Sequence, residues 1–248
     1  MRTIAIIQAR MSSTRLPAKI MLDLNGKPVL QNIIERLSYA KSLDEVVVAT
    51  SSDLSDDKVE DLCRRHNYKY YRGSLYDVLD RFYVCAREYN ADTIVRCTAD
   101  NALIDPSIVD QAIEYYTSHN YDYIYYRAGL PLGMCIEVFS IEALSKSYRE
   151  AKDAECREHV TPYIRNNKDL FNALTVECMG TDYSTLRFTM DTVEDYEFVK
   201  HIYDYFADNT FTYDQIITVL AQNPQWLSIN SIVMQKAVSY KGENSIQR

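Results

Sequence analysis

The stretch Ile4-Ala5-Ile6-Ile7-Gln8-Ala9-Arg10-Met11-Ser12-Ser13-Thr14-Arg15-Leu16-Pro17-Ala18-Lys19 decides the fold class of this chain. Its first four residues are apolar without alternation, the pattern of a strand in a parallel sheet covered on both faces. In such sheets ligands sit beyond the carboxyl ends of the strands, so Arg10, Arg15 and Lys19 start where a ligand is expected. Met11, Ser12, Ser13 and Thr14 add small side chains, hydroxyls and successive backbone N–H groups, which suit an anion nest. Arginine brings a planar fork for phosphate oxygens and lysine a compact charge. A solvated surface loop is the competing reading. Cations interleaved with hydroxyl residues directly after the first strand favour a phosphate-gripping loop.

Outward from this loop, Val29, Leu30, Ile33, Ile34 and Leu37 recur at helical spacing, and Val46 to Ala49 forms a second short apolar run. A polar helix over about 56–66, a strand over 69–71, a helix opened by Ser74 with Asp77 as a variant capping box, and a strand from Thr93 continue the alternation. This rhythm predicts an α/β fold with a mostly parallel sheet and right-handed crossovers. Beyond Asp100 the pattern predicts helices over 106–118, 141–150, 155–166 and 196–206, and strands over 134–139, 172–176 and 186–190. The expected organisation is one domain over 1–240 with a frayed polar tail over 241–248.

A formal charge of −8 argues against a general nucleic-acid binder, which needs broad basic surfaces. Charge still matters locally: from Met1 to Lys27 the only acid is Asp23, set against Arg2, Arg10, Arg15, Lys19 and Lys27. Cys63, Cys85, Cys97, Cys135, Cys156 and Cys178 are scattered, and no zinc-ligand spacing links them to the histidines. They read as reduced thiols of a cytoplasmic protein. No apolar run reaches the roughly 18 residues of a membrane span, and a signal-peptide core is lacking, so no membrane insertion is expected. The abundant tyrosines read as half-buried packing residues rather than stacking platforms.

Asp100 closely follows the strand from Thr93 to Cys97, which sets its carboxylate at the same sheet edge as the cationic loop. Asp191, after the expected strand over 186–190, is a second carboxylate at a comparable position, and such a pair suits Mg²⁺. Asp191-Thr192, followed by Glu194 and Asp195, reads equally well as a helix N-cap. No Walker loop or dinucleotide fingerprint is present.

Gln8-Ala9-Arg10, Ser13-Thr14-Arg15-Leu16-Pro17, Lys19 and Gly26-Lys27-Pro28 together resemble the opening of the sugar cytidylyltransferases, the group of the CMP-Kdo and CMP-acylneuraminate synthetases. Arg72-Gly73-Ser74, Asp77-Val78-Leu79, Arg81, Arg157-Glu158-His159-Val160-Thr161-Pro162-Tyr163 and Asp191-Thr192 with Glu194-Asp195 are similar to the branch of the spore coat polysaccharide biosynthesis protein F type. The likeness runs from about Ile4 to Phe206.

The resemblance implies a Rossmann-like nucleotide-diphospho-sugar transferase fold, with a small acceptor and dimerisation subregion in the second half and a homodimer. It also implies attack by a sugar-acid or related acceptor oxygen on the α-phosphate of CTP, with pyrophosphate leaving. Arg10, Arg15 and Lys19 would then neutralise the phosphates, and Asp100 and Asp191 would hold Mg²⁺. The nucleotide would touch Gln8, Ala9, Ser12, Ser13, Thr14, Thr50, Ser51 and Ser52, with Arg72 and Asp77 to Arg81 closing the pocket. For Thr50 and Ser51 ordinary strand-end turn chemistry is the alternative. The acceptor would meet Pro131, Gly133, Glu137, Arg157 and His159, with Arg127 and Arg157 as carboxylate partners or plain ion pairs, and His159 as base or packing residue.

Departures from the relatives' pattern are Ser12 and Ala18 where glycine is usual, Ala102 where proline is common, and Val193 for the proline of D-T-P-E-D. A metal-dependent glycosyltransferase using a preformed nucleotide-sugar, and a non-catalytic scaffold, are the alternative functions. The three loop cations suit a triphosphate better than a diphosphate, and two metal carboxylates exceed what a scaffold needs.

Overall fold

Ile4 and Ile6 pack into one layer of apolar side chains, Ala5 and Ile7 into another, and all four are fully buried. That two-sided burial is why the first strand is apolar without alternation, and each such isoleucine contributes roughly 1.5–3 kcal/mol by leaving water. The structure, a computed structural model, describes residues 1–177 and 180–235; Cys178 and the tail expected over 241–248 lie outside the described residues.

Strands β1 (Thr3–Gln8), β2 (Glu45–Ser51), β3 (Lys69–Gly73), β4 (Thr93–Thr98), β5 (Tyr123–Tyr126), β6 (Ile136–Ser140) and β7 (Ala173–Val176) form one seven-stranded sheet, ordered β3-β2-β1-β4-β6-β5-β7. β6 is antiparallel to β4 and β5, and every other pairing is parallel. The helices are α1 (Val29–Leu37), α2 (Asp57–His66), α3 (Val78–Glu88), α4 (Pro106–Thr117), α5 (Ile141–Glu150), α6 (Ala154–His159), α7 (Pro162–Asn166), α8 (Val193–Phe206) and α9 (Tyr213–Gln222). α1, α2, α4, α8 and α9 cover one face, and α3, α5, α6 and α7 the other. No described helix is long and apolar enough to cross a membrane.

Several expectations give way here. The segment 186–190 is not a sheet strand: Leu132 N–H donates to Leu186 O (3.0 Å) and Phe188 N–H to Leu132 O (2.8 Å) as an isolated bridge. The partner cannot extend it, because Pro131 has no N–H and Gly133 turns the chain at φ 102°. The helix expected over 155–166 is two helices. Pro162 cannot donate within a helix, and Val160 at φ 72° forms a strained γ-turn closed by Thr161 N–H to His159 O (2.9 Å). α3 opens at Asp77, which accepts the Asp80 N–H (2.9 Å), while Ser74 caps the preceding turn through the Asp77 N–H (3.0 Å). α8 starts at Val193, three residues earlier than the periodicity suggests. α9 is an unexpected helix, although its Thr212–Gln215 capping box and buried Ile216, Val219 and Leu220 are visible in the sequence.

Candidate active site

Backbone hydrogen bonds close the cationic loop on itself. Met11 N–H donates to Asp56 Oδ1 (2.7 Å), whose Oδ2 holds the Ser51 N–H (3.1 Å) and hydroxyl (2.5 Å) at the end of β2. Ala18 N–H returns to Met11 O (3.2 Å), and Leu16 and Ile20 plug into the core beneath. Ala18 sits at φ 55°, the left-handed conformation that a glycine adopts without Cβ crowding.

The loop lines a cavity of about 770 Å³ with Gln8, Arg10, Ser12, Ser13, Thr14, Arg15 and Lys19; Asp100, His159 and Asp191 also line it. Met190 N–H donates to Asp100 O (2.9 Å), joining the two loops that carry the carboxylates. Thr192 is the N-cap of α8, in a capping box with Asp195, so the Asp191 carboxylate is left for the cavity. Lys19 Nζ donates to Asp100 Oδ2, Asp191 Oδ1 and Met190 O, each at 2.9 Å. Arg15 Nη2 and Arg187 Nη2 lie 2.9 and 3.0 Å from Asp191 Oδ2. Burial alone would raise the Asp191 pKa, but the Lys19, Arg15 and Arg187 charges outweigh it and hold the carboxyl below its ordinary value. For Lys19 burial acts downward, yet Asp100 and Asp191 prevail and the ammonium is held above its ordinary value. Arg10 lies 3.8 Å from Glu158 and is the most exposed of the three loop cations.

A second cavity of about 290 Å³ adjoins the first, and Thr98, Asp100, His159, Asp191 and Gln235 line both. At its base Glu137 accepts from Arg96 Nη1 (2.5 Å), Tyr123 Oη (2.6 Å) and Thr161 Oγ1 (2.7 Å). Burial opposes ionisation of Glu137, but the Arg96 charge and the two hydroxyls keep its pKa lowered. Antiparallel β6 explains the placement: Glu137, near the start of this strand, stands opposite Arg96, near the end of β4. Gly133 lines the same cavity, and a Cβ there would lie 2.5 Å from Thr189 N and 2.8 Å from Phe188 C. The close approach it permits is that of the chain's own backbone leading to Asp191. Gly133→Ala is expected to cost about 2 kcal/mol from left-handed strain and overpacking, read as a lowered urea midpoint.

Other sequence-predicted residues are placed elsewhere, and none of Ala9, Thr50, Ser51, Ser52, Arg72, Asp77, Arg81 and Arg157 lines either cavity. Arg72 is a clamp: it donates to Ser51 O (2.9 Å), Asp53 O (2.9 Å) and Glu60 (2.5 Å), and pairs with Asp57. Arg157 is bound by Asp77 and by Tyr148 O (2.9 Å), and Arg127 lies 4.0 Å from Glu177. Both arginines thus sit in ion pairs, and neither lines the second cavity.

Arg96, Arg165 and Gln235 also line the second cavity and Arg187 braces Asp191, four residues that the sequence reading does not single out. Arg96 does carry a signal, a cation inside the otherwise apolar run Ile94 to Cys97.

A cytidylyltransferase family model matches residues 4–245. An uncharacterised protein of Methanocaldococcus jannaschii is 39% identical over 240 residues, covering 96% of this chain and 98% of that one. The spore coat polysaccharide biosynthesis protein SpsF of Bacillus subtilis is 35% identical over 226 residues, 88% of this chain and 94% of its own. A solved cytidylyltransferase from Leptospira borgpetersenii superposes with a TM-score of 0.87 at 34% identity, over 96% of this chain and all (100%) of that structure. With sequence, fold and strand-end geometry in agreement, this chain belongs to the cytidylyltransferase family and is an enzyme that transfers nucleotidyl groups.

Proposed function

We propose that this enzyme moves CMP from CTP to a polyhydroxylated acid, releasing pyrophosphate, with Mg²⁺ held by Asp100 and Asp191. The observation that carries this reading is the meeting of a large cation-lined cavity and a smaller polar one at those two carboxylates. A volume of about 770 Å³ falls within the span of roughly 300–1,000 Å³ typical of small-molecule sites. No group of three or more His, Cys, Asp or Glu side chains is placed to hold a metal among the described residues. A carboxylate pair completed by phosphate oxygens and water suits Mg²⁺. Bound there, the ion would supply charge neutralisation at the α-phosphate.

The acceptor oxygen attacks the α-phosphorus, forming a P–O bond as the bond to the β-phosphate oxygen breaks. Arg10, Arg15 and Lys19 absorb the charge that builds on the departing pyrophosphate. His159 lines both cavities and takes the acceptor's hydroxyl proton in this reading. Arg96 and Arg165 supply donors for an acid in the smaller cavity, and the Thr161 oxygen, its proton given to Glu137, accepts from the acid's hydroxyls. The printed name of the Bacillus subtilis relative ties that protein to polysaccharide biosynthesis, which supports a sugar-like acceptor here.

In this reading Arg81, which lines neither cavity before binding, favours cytosine by opening to the base. Its guanidinium is fully buried, Nη1 donates to Ser74 O (2.9 Å), and Nε and Nη2 find no hydrogen-bond partner among the described residues. Burial pushes its pKa down to about 10 against the pull of Asp56, and Arg10 adds to the push. Two adjacent donors complement the adjacent N3 and O2 acceptors of cytosine, whereas uracil presents an N–H at N3. If the base reaches this corner on binding, both orphaned donors gain partners.

Calorimetric titration with each nucleoside triphosphate and with CDP- and UDP-sugars, with and without Mg²⁺, tests the assignment. Binding selective for CTP and dependent on Mg²⁺ is expected. Preference for an intact nucleotide-sugar would replace it with a glycosyltransferase.

A further inference from the structure

All three N–H bonds of the Lys19 ammonium are already committed, to Asp100 Oδ2, Asp191 Oδ1 and Met190 O, each at 2.9 Å. An ammonium has three donors, so in this arrangement Lys19 has none to offer a phosphate. The two carboxylates it bridges are those whose chemistry fits a divalent cation. One position therefore serves two cations in turn.

We propose that Lys19 is a resident stand-in for the metal ion, an inference that rests on the nucleotidyltransferase reading above. In the nucleotide-free enzyme its ammonium holds Asp100 and Asp191 together. When Mg²⁺ and the triphosphate arrive, the ammonium passes to the phosphates and Arg187 remains as the fixed anchor of Asp191.

The surroundings separate the cation that moves from the one that stays. Lys19 has a flexible four-carbon stem and follows Ala18, where the chain turns into a short 3-10 segment. Arg187 is 9% exposed and bound by Nε and Nη2 to Asp195 (2.8 and 2.9 Å) as well as to Asp191. Asp195, fully buried, also accepts from the Asp191 N–H (3.0 Å), the Thr192 N–H (3.1 Å) and Asn230 Nδ2 (3.1 Å). Withdrawing Arg187 would strip a buried carboxylate of its counter-ion, whereas withdrawing Lys19 leaves carboxylates that a divalent ion can take over. A metal ion arriving alone meets Lys19, Arg15 and Arg187 around Asp191 and is repelled. Arriving with a polyanionic nucleotide, it gives Lys19 and Arg15 new partners, so metal and nucleotide binding reinforce each other.

The test is Mn²⁺ titration of the full-length protein, with free Mn²⁺ followed by electron paramagnetic resonance, first alone and then with CTP. Lys19→Met is expected to bind Mn²⁺ alone at least about tenfold more tightly than wild type, because a positive charge beside both carboxylates has gone. With CTP present the order is expected to reverse, since the variant has lost a phosphate partner. Lys19→Gln, which keeps an amide donor between the carboxylates, is expected to fall between the two and serves if the methionine variant does not fold. Unchanged or weaker Mn²⁺ binding by a folded variant, while wild type binds CTP with Mn²⁺, overturns the exchange alone. Failure of wild type to bind CTP with Mn²⁺ overturns the nucleotidyltransferase reading and the exchange with it.

Discussion

Asp100→Asn is expected to lower turnover at least about a hundredfold with the fold intact, the scale of losing one group that stabilises transition-state charge. Asp100 Oδ1 accepts from Thr98 Oγ1 (2.5 Å) and Oδ2 from Lys19 Nζ (2.9 Å). Asparagine matches the shape and retains an oxygen for Thr98, so the backbone bond from Met190 N–H to Asp100 O has no reason to change. What disappears is the negative charge facing Lys19 and, in the proposed reaction, the metal ion. The loss should therefore fall on turnover more than on the thermal midpoint. Pyrophosphate release from CTP, with an acceptor found by screening sugar acids, gives the number. Near-normal release would remove Asp100 from the mechanism.

The cationic loop and its approach to Asp100 are legible in the sequence because these residues are local. A single strand and the loop after it carry Arg10, Arg15 and Lys19, and the position after β4 carries Asp100. Asp191 was ambiguous because two adjacent polar residues precede α8 and either one satisfies capping preferences. The structure separates them, giving the cap to Thr192 and the cavity to Asp191. The second cavity was less legible for a topological reason. Its Arg96–Glu137 pair depends on β6 being the antiparallel member of the sheet, and no short-range spacing encodes that pairing. Arg157 was drawn toward the acceptor by its neighbours in the motif, but the break between α6 and α7 lets His159 line the cavities while Arg157 pairs with Asp77. Arg187 and Gln235 meet through a hydrogen bond of 2.5 Å across 48 positions of chain, beyond the reach of any local pattern.

Arg36→Met is expected to destabilise the protein by about 4 kcal/mol, the largest stability effect anticipated here, because three buried carbonyls lose charged donors at once. Arg36 is fully buried on α1; Nε donates to Ile104 O (2.7 Å), Nη1 to Asn209 O (2.6 Å) and Nη2 to Phe211 O (3.0 Å). Its guanidinium carbon also lies 4.2 Å from the centroid of the Phe211 ring. Burial holds its pKa below the ordinary value, partly countered by Tyr203 and Asp105, so the substitution also removes a desolvated charge. That relief keeps the expected loss below the sum of three charged hydrogen bonds, each about 1.5–3 kcal/mol. Arg36→Lys should recover only part of the stability, since a single ammonium cannot reproduce a fork that reaches three carbonyls in one plane. Urea unfolding of both variants measures the difference. Because Ile104 follows Asp100 by four residues, the same clamp steadies the loop carrying Asp100. The methionine variant should thus lose activity at temperatures where it is still mostly folded, whereas an unfolding free energy equal to wild type would show that the carbonyls find other donors.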